Sequence, residues 1–188
     1  VLTPFSGEVS IKLKNEDLSA IDYVFSWLGN ADLLLAIIKL IEDKMNMEHD
    51  VDTIGVQTLI LVEDSIRFYS SYLPQLYKII FKQSKEFMTE GLNEHQKMLR
   101  MRGRPKVILA TNYEEALQFY ERYKNNLLGI ISDISYKRDN ELDNLAGVKL
   151  GKKVKMADQY LPFLLQSSEI ANSKYAKELN VKFLHKGS

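Results

Sequence analysis

The residues with the most chemistry in them stand where short aliphatic runs end. Thr58-Leu59-Ile60-Leu61-Val62 leads into Glu63-Asp64, and Leu127-Leu128-Gly129-Ile130-Ile131 leads into Asp133. Leu161-Pro162-Phe163-Leu164-Leu165 leads into Ser167, and the run 181–184 leads into Lys186. If these runs are neighbouring strands, three carboxylates, a hydroxyl and an ammonium converge, because a parallel α/β sheet binds ligands beyond the carboxyl ends of its strands. Carboxylates gathered this way repel by about 3 kcal/mol per pair at roughly 5 Å and an effective dielectric near 20. A bound cation relieves that repulsion, and an all-oxygen set that keeps several waters suits Mg²⁺ better than a softer metal. A carboxylate beside Mg²⁺ and a lysine is placed for in-line attack on a phosphoryl donor, the two cations neutralising the transferring oxygens. A phosphoryl oxygen on Asp133 could then accept a hydrogen bond from Ser167.

Such residues need a frame. With Val107-Ile108-Leu109-Ala110, the aliphatic runs number five, and none alternates cleanly with polar residues. That is the habit of strands buried on both faces of a parallel sheet. Helical patterns lie between them at 66–87, at 113–123 behind an Asn112 cap with Glu114 and Glu115, at 147–156 and at 169–179. The alternation predicts a three-layer α/β fold. Pro74 predicts a kink or break in the first of these helices.

The first 47 residues repeat part of this alternation. Val1-Leu2-Thr3 reads as a strand end, 8–19 as weakly helical and 21–25 as a second strand. Asn30 then caps an amphipathic helix with Leu33, Ile37, Ile41 and Met45 on one stripe and Leu34 and Ile38 beside it. "VLTPFSGEV…AIDYVFSW" parallels "FLLQSSEIA…NVKFLHKG", which predicts an internal repeat whose first copy is only a half. Residues 48–56 form a polar junction between the copies.

Composition bounds the rest. The 188 residues predict one domain, or one with a fragment, and enough chain for a real core. The absence of cysteine excludes disulfide scaffolds, cysteine-based zinc sites and thiol catalysis. With 25 Lys+Arg against 25 Asp+Glu, nothing attracts the whole chain to nucleic acid or an anionic membrane. The longest aliphatic run, 33–38, is too short to span a bilayer, and no signal peptide is present. The expectation is a soluble, cytoplasmic protein, and a start at Val1 rather than Met reads as a piece of a longer one. Arg100, Arg102, Arg104 and Lys106 read as a solvated approach to a strand, without the aromatic interleaving of a nucleic-acid site. His95 reads as a surface histidine, and Tyr69, Tyr72 and Tyr77 as packing.

"ILVEDS", "GIISDIS", "FLLQSS" and "VKFLHK", in this order and each at a strand tip, resemble the CheY-like receiver domain of bacterial response regulators. The resemblance covers about residues 57–188 and implies a flavodoxin-like, doubly wound, five-stranded parallel sheet in the order 2-1-3-4-5. It implies that Asp133 is the phospho-acceptor, and that Mg²⁺ is held by Glu63 through water, Asp64, Asp133 and the Ser135 carbonyl. Ser167 and Lys186 would contact the phosphoryl group, with Phe183 at the place of a rotating switch aromatic. The implied function is that of a phospho-accepting receiver in a two-component phosphorelay, switching a partner surface. It would be no enzyme beyond its own phosphorylation and dephosphorylation. Its implied partners are a histidine kinase or a small-molecule phosphodonor, the output domain of a parent protein, and a second copy in a homodimer.

Residues 1–47 resemble the C-terminal half of another receiver, a degenerate β-α-β-α remnant with Thr3 in the hydroxyl position and Ser26 where the lysine belongs. More narrowly, "YSSYLPQLYK" and "MLRMRGRPKVILATNYEEA" resemble the receiver-like region ahead of phosphoenolpyruvate-synthase-type, PEP/pyruvate-binding segments of some bacterial proteins. This resemblance implies an alternative: an unphosphorylated pseudo-receiver that dimerises or scaffolds such an enzyme. A Mg²⁺-dependent phosphohydrolase is disfavoured, because position 135 is Ser and not a second acid. The sequence departs from the receiver pattern in four places. The span from Asp64 to Val107 is long, with a helical pattern at 92–101, and "YKRDNELDN" extends the loop after Asp133. Gly187 follows Lys186 where proline is customary, and the final helix is missing.

Overall fold

The structure, a computed structural model, describes residues 1–4, 21–27, 29–86 and 103–186. The helical patterns expected at 8–19 and 92–101, together with His95, Arg100, Arg102 and Gly187, lie outside the described residues.

The aliphatic runs form one parallel sheet. Its strands are β3 (Thr58–Val62), β4 (Lys106–Ala110), β5 (Leu127–Asp133), β8 (Phe163–Ser167) and β9 (Lys182–His185), in the order β4-β3-β5-β8-β9. This is the expected 2-1-3-4-5, the flavodoxin-like doubly wound arrangement. Successive side chains go to opposite faces. Ile60, Val62, Ile108 and Ala110 meet α3 (Tyr113–Tyr123) and α4 (Ala146–Ala157) on one side. Leu61, Val107 and Leu109 meet α1 (Asp32–Glu48) and α2 (Ile66–Glu86) on the other. Both faces being covered is why these strands do not alternate with polar residues.

Local chemistry sets the element ends. Asn112 Oδ1 accepts from Glu115 N at 2.8 Å, and Glu115 Oε2 accepts from Thr111 N at 2.8 Å, a reciprocal cap that starts α3. β8 begins at Phe163 and not Leu161 because Pro162 has no N–H to pair; its carbonyl accepts from Ile130 N at 2.9 Å. The pattern at 169–179 divides into a 3₁₀ turn, Ile170–Asn172, and α5, Ser173–Leu179. The break expected at Pro74 is absent: α2 continues through it with the proline buried.

The N-terminal residues pack on the same body, with β2 against α2. β1 (Leu2–Pro4) and β2 (Phe25–Trp27) pair in parallel as a separate two-stranded sheet. The second strand lies later than the expected 21–25 because Tyr69 Oη of α2 donates to Val24 O, and pairing with the three residues of β1 starts at Phe25. Thr3 is paired with Ser26, which puts Trp27 one step beyond that pair. In the main sheet Ser167 pairs with His185 and Lys186 follows, so if the two segments are laid over each other by register, Trp27 and not Ser26 falls opposite Lys186.

α1 lies against α2 and β4, and its rotational phase differs from the expected one. The buried residues are Leu33, Ala36, Leu40, Asp43 and Met47, whereas Leu34, Ile38, Ile41 and Met45 are exposed. The reason is a buried ion pair. Arg104 grips Asp43 with Nη2 to Oδ1 at 2.7 Å and Nη1 to Oδ2 at 3.0 Å; Tyr77 Oη and Val107 N also donate to Asp43. Facing Asp43 toward β4 turns the Leu34 stripe outward. Arg104 and Lys106 are therefore not solvated as expected. Both are buried, Arg104 against the Tyr77 and Phe81 rings and Lys106 paired with Asp50 at 2.6 Å.

The extension after Asp133 is an ordered hairpin, β6 (Tyr136–Arg138) paired with β7 (Glu141–Asp143). Asp139 and Asn140 take the two positive φ values, 53° and 63°, of a two-residue turn suited to strand twist. The hairpin docks on the start of α3, where Asp139 N donates to Glu114 Oε1 and Arg138 covers the Tyr113 ring.

Candidate functional site

Parallel register brings the predicted residues to one edge of the sheet. Val62 pairs with Ser132, Asp133 with Gln166 and Ser167 with His185, so Glu63 and Asp133 leave neighbouring strands, and Lys186 leaves β9, one strand beyond, and reaches back across β8. Lys186 N donates to Ser167 O at 2.9 Å, which carries the pairing one step further and fixes where the lysine departs. The first turn of α4 closes the floor: Gly147 N donates to Ile134 O at 3.0 Å.

Lys186 is the hub. Its Nζ donates to Glu63 Oε2 at 2.6 Å and Asp133 Oδ2 at 2.8 Å, and lies 4.3 Å from the Phe68 ring centroid. Two ammonium hydrogens thus meet carboxylates while the cation also rests against an aromatic face. Glu63 is fully buried; Oε1 accepts from Ser65 N and Oε2 also from Gln166 Nε2, both at 3.2 Å. Asp133 Oδ1 accepts from Ile134 N at 2.8 Å.

Two buried carboxyls share one ammonium, and the electrostatics reflect the deficit. Burial pushes Glu63 up to about 7; Lys186 pulls against this and the Asp133 charge adds to it. Burial likewise raises Asp133, with Lys186 opposing. Glu63, Asp64 and Asp133 each offer an oxygen, all within 4.8 Å of one another. Asp64 is exposed, so an ion there keeps a water-facing side, and the donors are all hard oxygens. That set fits Mg²⁺.

Three predicted side chains bond or pack outside this cluster. Ser167 Oγ accepts from Glu169 N at 3.1 Å and Asn172 Nδ2 at 2.9 Å, within its own turn, so it has no bond to Asp133 here. Ser135 meets Asn144 Oδ1 through its hydroxyl at 3.3 Å, at the foot of the hairpin. Phe183 packs half-buried against the core under α5.

The sequence reading missed Gln166, Phe68 and Tyr72. Gln166 was legible by strand alternation, since the partner of Asp133 in the next strand must face the same edge. The Tyr72 ring stacks on Phe68 with centroids 5.9 Å apart, and its hydroxyl is buried without a partner among the described residues. Burial, with the Glu63 and Asp133 charges, pushes that phenol up to about 12. Only the tertiary fold puts Phe68, in the first turn of α2, beside the lysine.

No family model matches the sequence, and no curated protein matches it. Among solved structures, the chain is similar to a response regulator receiver domain protein from Clostridium thermocellum at 15% identity and a TM-score of 0.43, over 71% of this chain and 84% of that one. It is similar to the chemotaxis protein CheY4 of Vibrio cholerae at 17% identity and a TM-score of 0.43, over 71% and 88%. It is also similar to the response regulator TrrA of Thermotoga maritima, solved with Mg²⁺ and BeF, at 16% identity and a TM-score of 0.39, over 70% and 88%. The strand order, and not these distant likenesses, defines the α/β class.

Proposed function

We propose that this chain is a phospho-accepting signal receiver. The observation that carries this reading is the Lys186 ammonium 2.8 Å from Asp133 Oδ2, inside a carboxylate cluster able to hold a cation. Glu63, Asp64, Asp133 and the Ser135 carbonyl would hold Mg²⁺, which supplies charge neutralisation for the oxygens in transfer. An Asp133 carboxylate oxygen attacks phosphorus in line, and the bond from phosphorus to the donor's nitrogen or oxygen breaks with its electron pair leaving on the donor. Lys186 then exchanges part of its bonding from the Asp133 carboxylate to a phosphoryl oxygen. Ser167 turns its hydroxyl hydrogen toward that group, which pulls the β8 turn inward and lets Phe183 move with it. The donor is a histidine kinase or a small acyl phosphate, and the readout is an output domain of a parent protein in a bacterial two-component pathway.

A second reading is supported by the same lysine. In a pseudo-receiver that scaffolds a neighbouring enzyme, of which a PEP-synthase-like protein is the instance the sequence suggests, Lys186 would be a permanent counter-ion for Glu63 and Asp133. One experiment separates the two. Incubation with acetyl phosphate and Mg²⁺ adds about 80 Da to the intact mass under the receiver reading, and none in Asp133→Asn. An unmodified wild-type chain, with no beryllofluoride-dependent change in its amide spectrum, sinks the receiver reading and leaves the scaffold.

A further inference from the structure

α1 is apolar on two opposite sides. Its inner side is buried on α2 and β4. Its outer side carries Leu34, Ile38, Ile41 and Met45, exposed to 47, 60, 44 and 80%. A surface helix ordinarily turns polar residues outward, and a contiguous exposed apolar stripe marks an interaction surface. Each of the four is large, and no charged residue interrupts the seam from Leu34 to Met45.

The spacing points to the occupant. The intervals are four, three and four, the repeat by which side chains of two helices interlock. Such a seam is self-complementary: rotated about a two-fold axis, it meets an identical seam. With Leu35 alongside, also 46% exposed, full burial of the stripe removes about 500 Å² per copy, so pairing two copies buries at most about 1,000 Å², the lower bound of a biological interface and the size of a weak, concentration-dependent dimer. The helix is also held rigid beforehand by Asp43 and Arg104, so pairing has no folding cost to overcome.

We propose that the outer face of α1 is a homodimer interface, packed on α1 of a second copy about a two-fold axis. This stands independently of whether Asp133 is phosphorylated. Sedimentation of the whole chain at high micromolar concentration is expected to give twice the monomer mass. The Ile38→Gln, Ile41→Gln variant should give the monomer, with unchanged circular dichroism. Because the chain has no cysteine, Ile38→Cys, Ile41→Cys provides a second measurement without background. Mild oxidation should link two chains through α1 in either helix orientation, whereas Lys152→Cys on the exposed face of α4 should remain unlinked. A monomeric wild type, a glutamine variant that still dimerises, or equal cross-linking at both places overturns the proposal.

Discussion

The Lys186 ammonium rests 4.3 Å from the centre of the Phe68 ring while bridging Glu63 and Asp133. The ring does not react, but it limits where the ammonium can go once a carboxylate partner is lost to a proton or a phosphoryl group. Phe68→Leu keeps the apolar volume and removes the π face, a contribution of about 1 kcal/mol. The expected result is acetyl-phosphate labelling of Asp133 slowed roughly fivefold with little change in melting temperature. Phe68→Tyr should restore the rate. A rate unchanged in Phe68→Leu would show that the carboxylates alone position the lysine.

The raised Glu63 carboxyl makes a prediction in pH. The folded state holds this proton up to about 7, whereas the ordinary value is 4.5. Between those values the folded chain binds more protons than the unfolded one, so this group's contribution to stability is full below 4.5 and is lost as pH rises through 7. The urea midpoint should therefore fall between about pH 5 and about pH 8, and Glu63→Gln should flatten that slope. Mg²⁺ should raise the midpoint more at the alkaline end, where the carboxylates are ionised.

Gly147 is required by proximity to Asp133. A Cβ built at this position would lie 1.9 Å from the Asp133 carbonyl oxygen, so the backbone at Asp133 must move in Gly147→Ala. Destabilisation of about 1–3 kcal/mol is expected from the overpacking, together with a loss of labelling out of proportion to the loss of folded protein. Gly151→Ala is the control: its Cβ would meet only side chains, Leu179 Cδ1 at 3.0 Å and the Phe163 ring at 3.3 Å, and no backbone atom. Denaturant titration alongside labelling measures both effects.

Arg104→Met strips buried Asp43 of its bidentate partner and leaves it Lys106 Nζ at 3.7 Å with the Tyr77 and Val107 donors, and should cost about 3 kcal/mol in chemical denaturation. Adding Asp43→Asn should recover much of that loss. Independent, additive effects of the two substitutions would show that the pair does not act as a unit.

The sequence carried the sheet, and the meeting of Glu63, Asp64, Asp133 and Lys186 at its edge, well, because a parallel strand buried on both faces writes itself as an uninterrupted aliphatic run and the residues after each run gather at one edge. It carried α1 poorly. Apolar residues surround that helix, so periodicity alone could not choose the inward side; Asp43, a charge that looks like surface, makes the choice through a partner 61 residues away. The same blindness turned Arg104 and Lys106 into apparent surface charges. The hairpin at 136–143 was hidden for a different reason: its turn, Asp139-Asn140, lies in a charged stretch that reads equally well as loop. Phe68 and Tyr72 were legible as helix packing, but which lysine they border depends on contacts across more than a hundred residues.

Glu63 and Lys186 stand 123 residues apart, and that separation bears on how the protein is made. A ribosome releases Glu63 and Asp133 well before Lys186, so the growing chain carries two carboxyls at its sheet edge with no ammonium between them. Raised affinity for protons or divalent ions is the natural consequence at that stage. Cellular Mg²⁺ could then stand in during translation for the last strand's lysine, and the maturing domain would exchange one counter-ion for another as β9 docks.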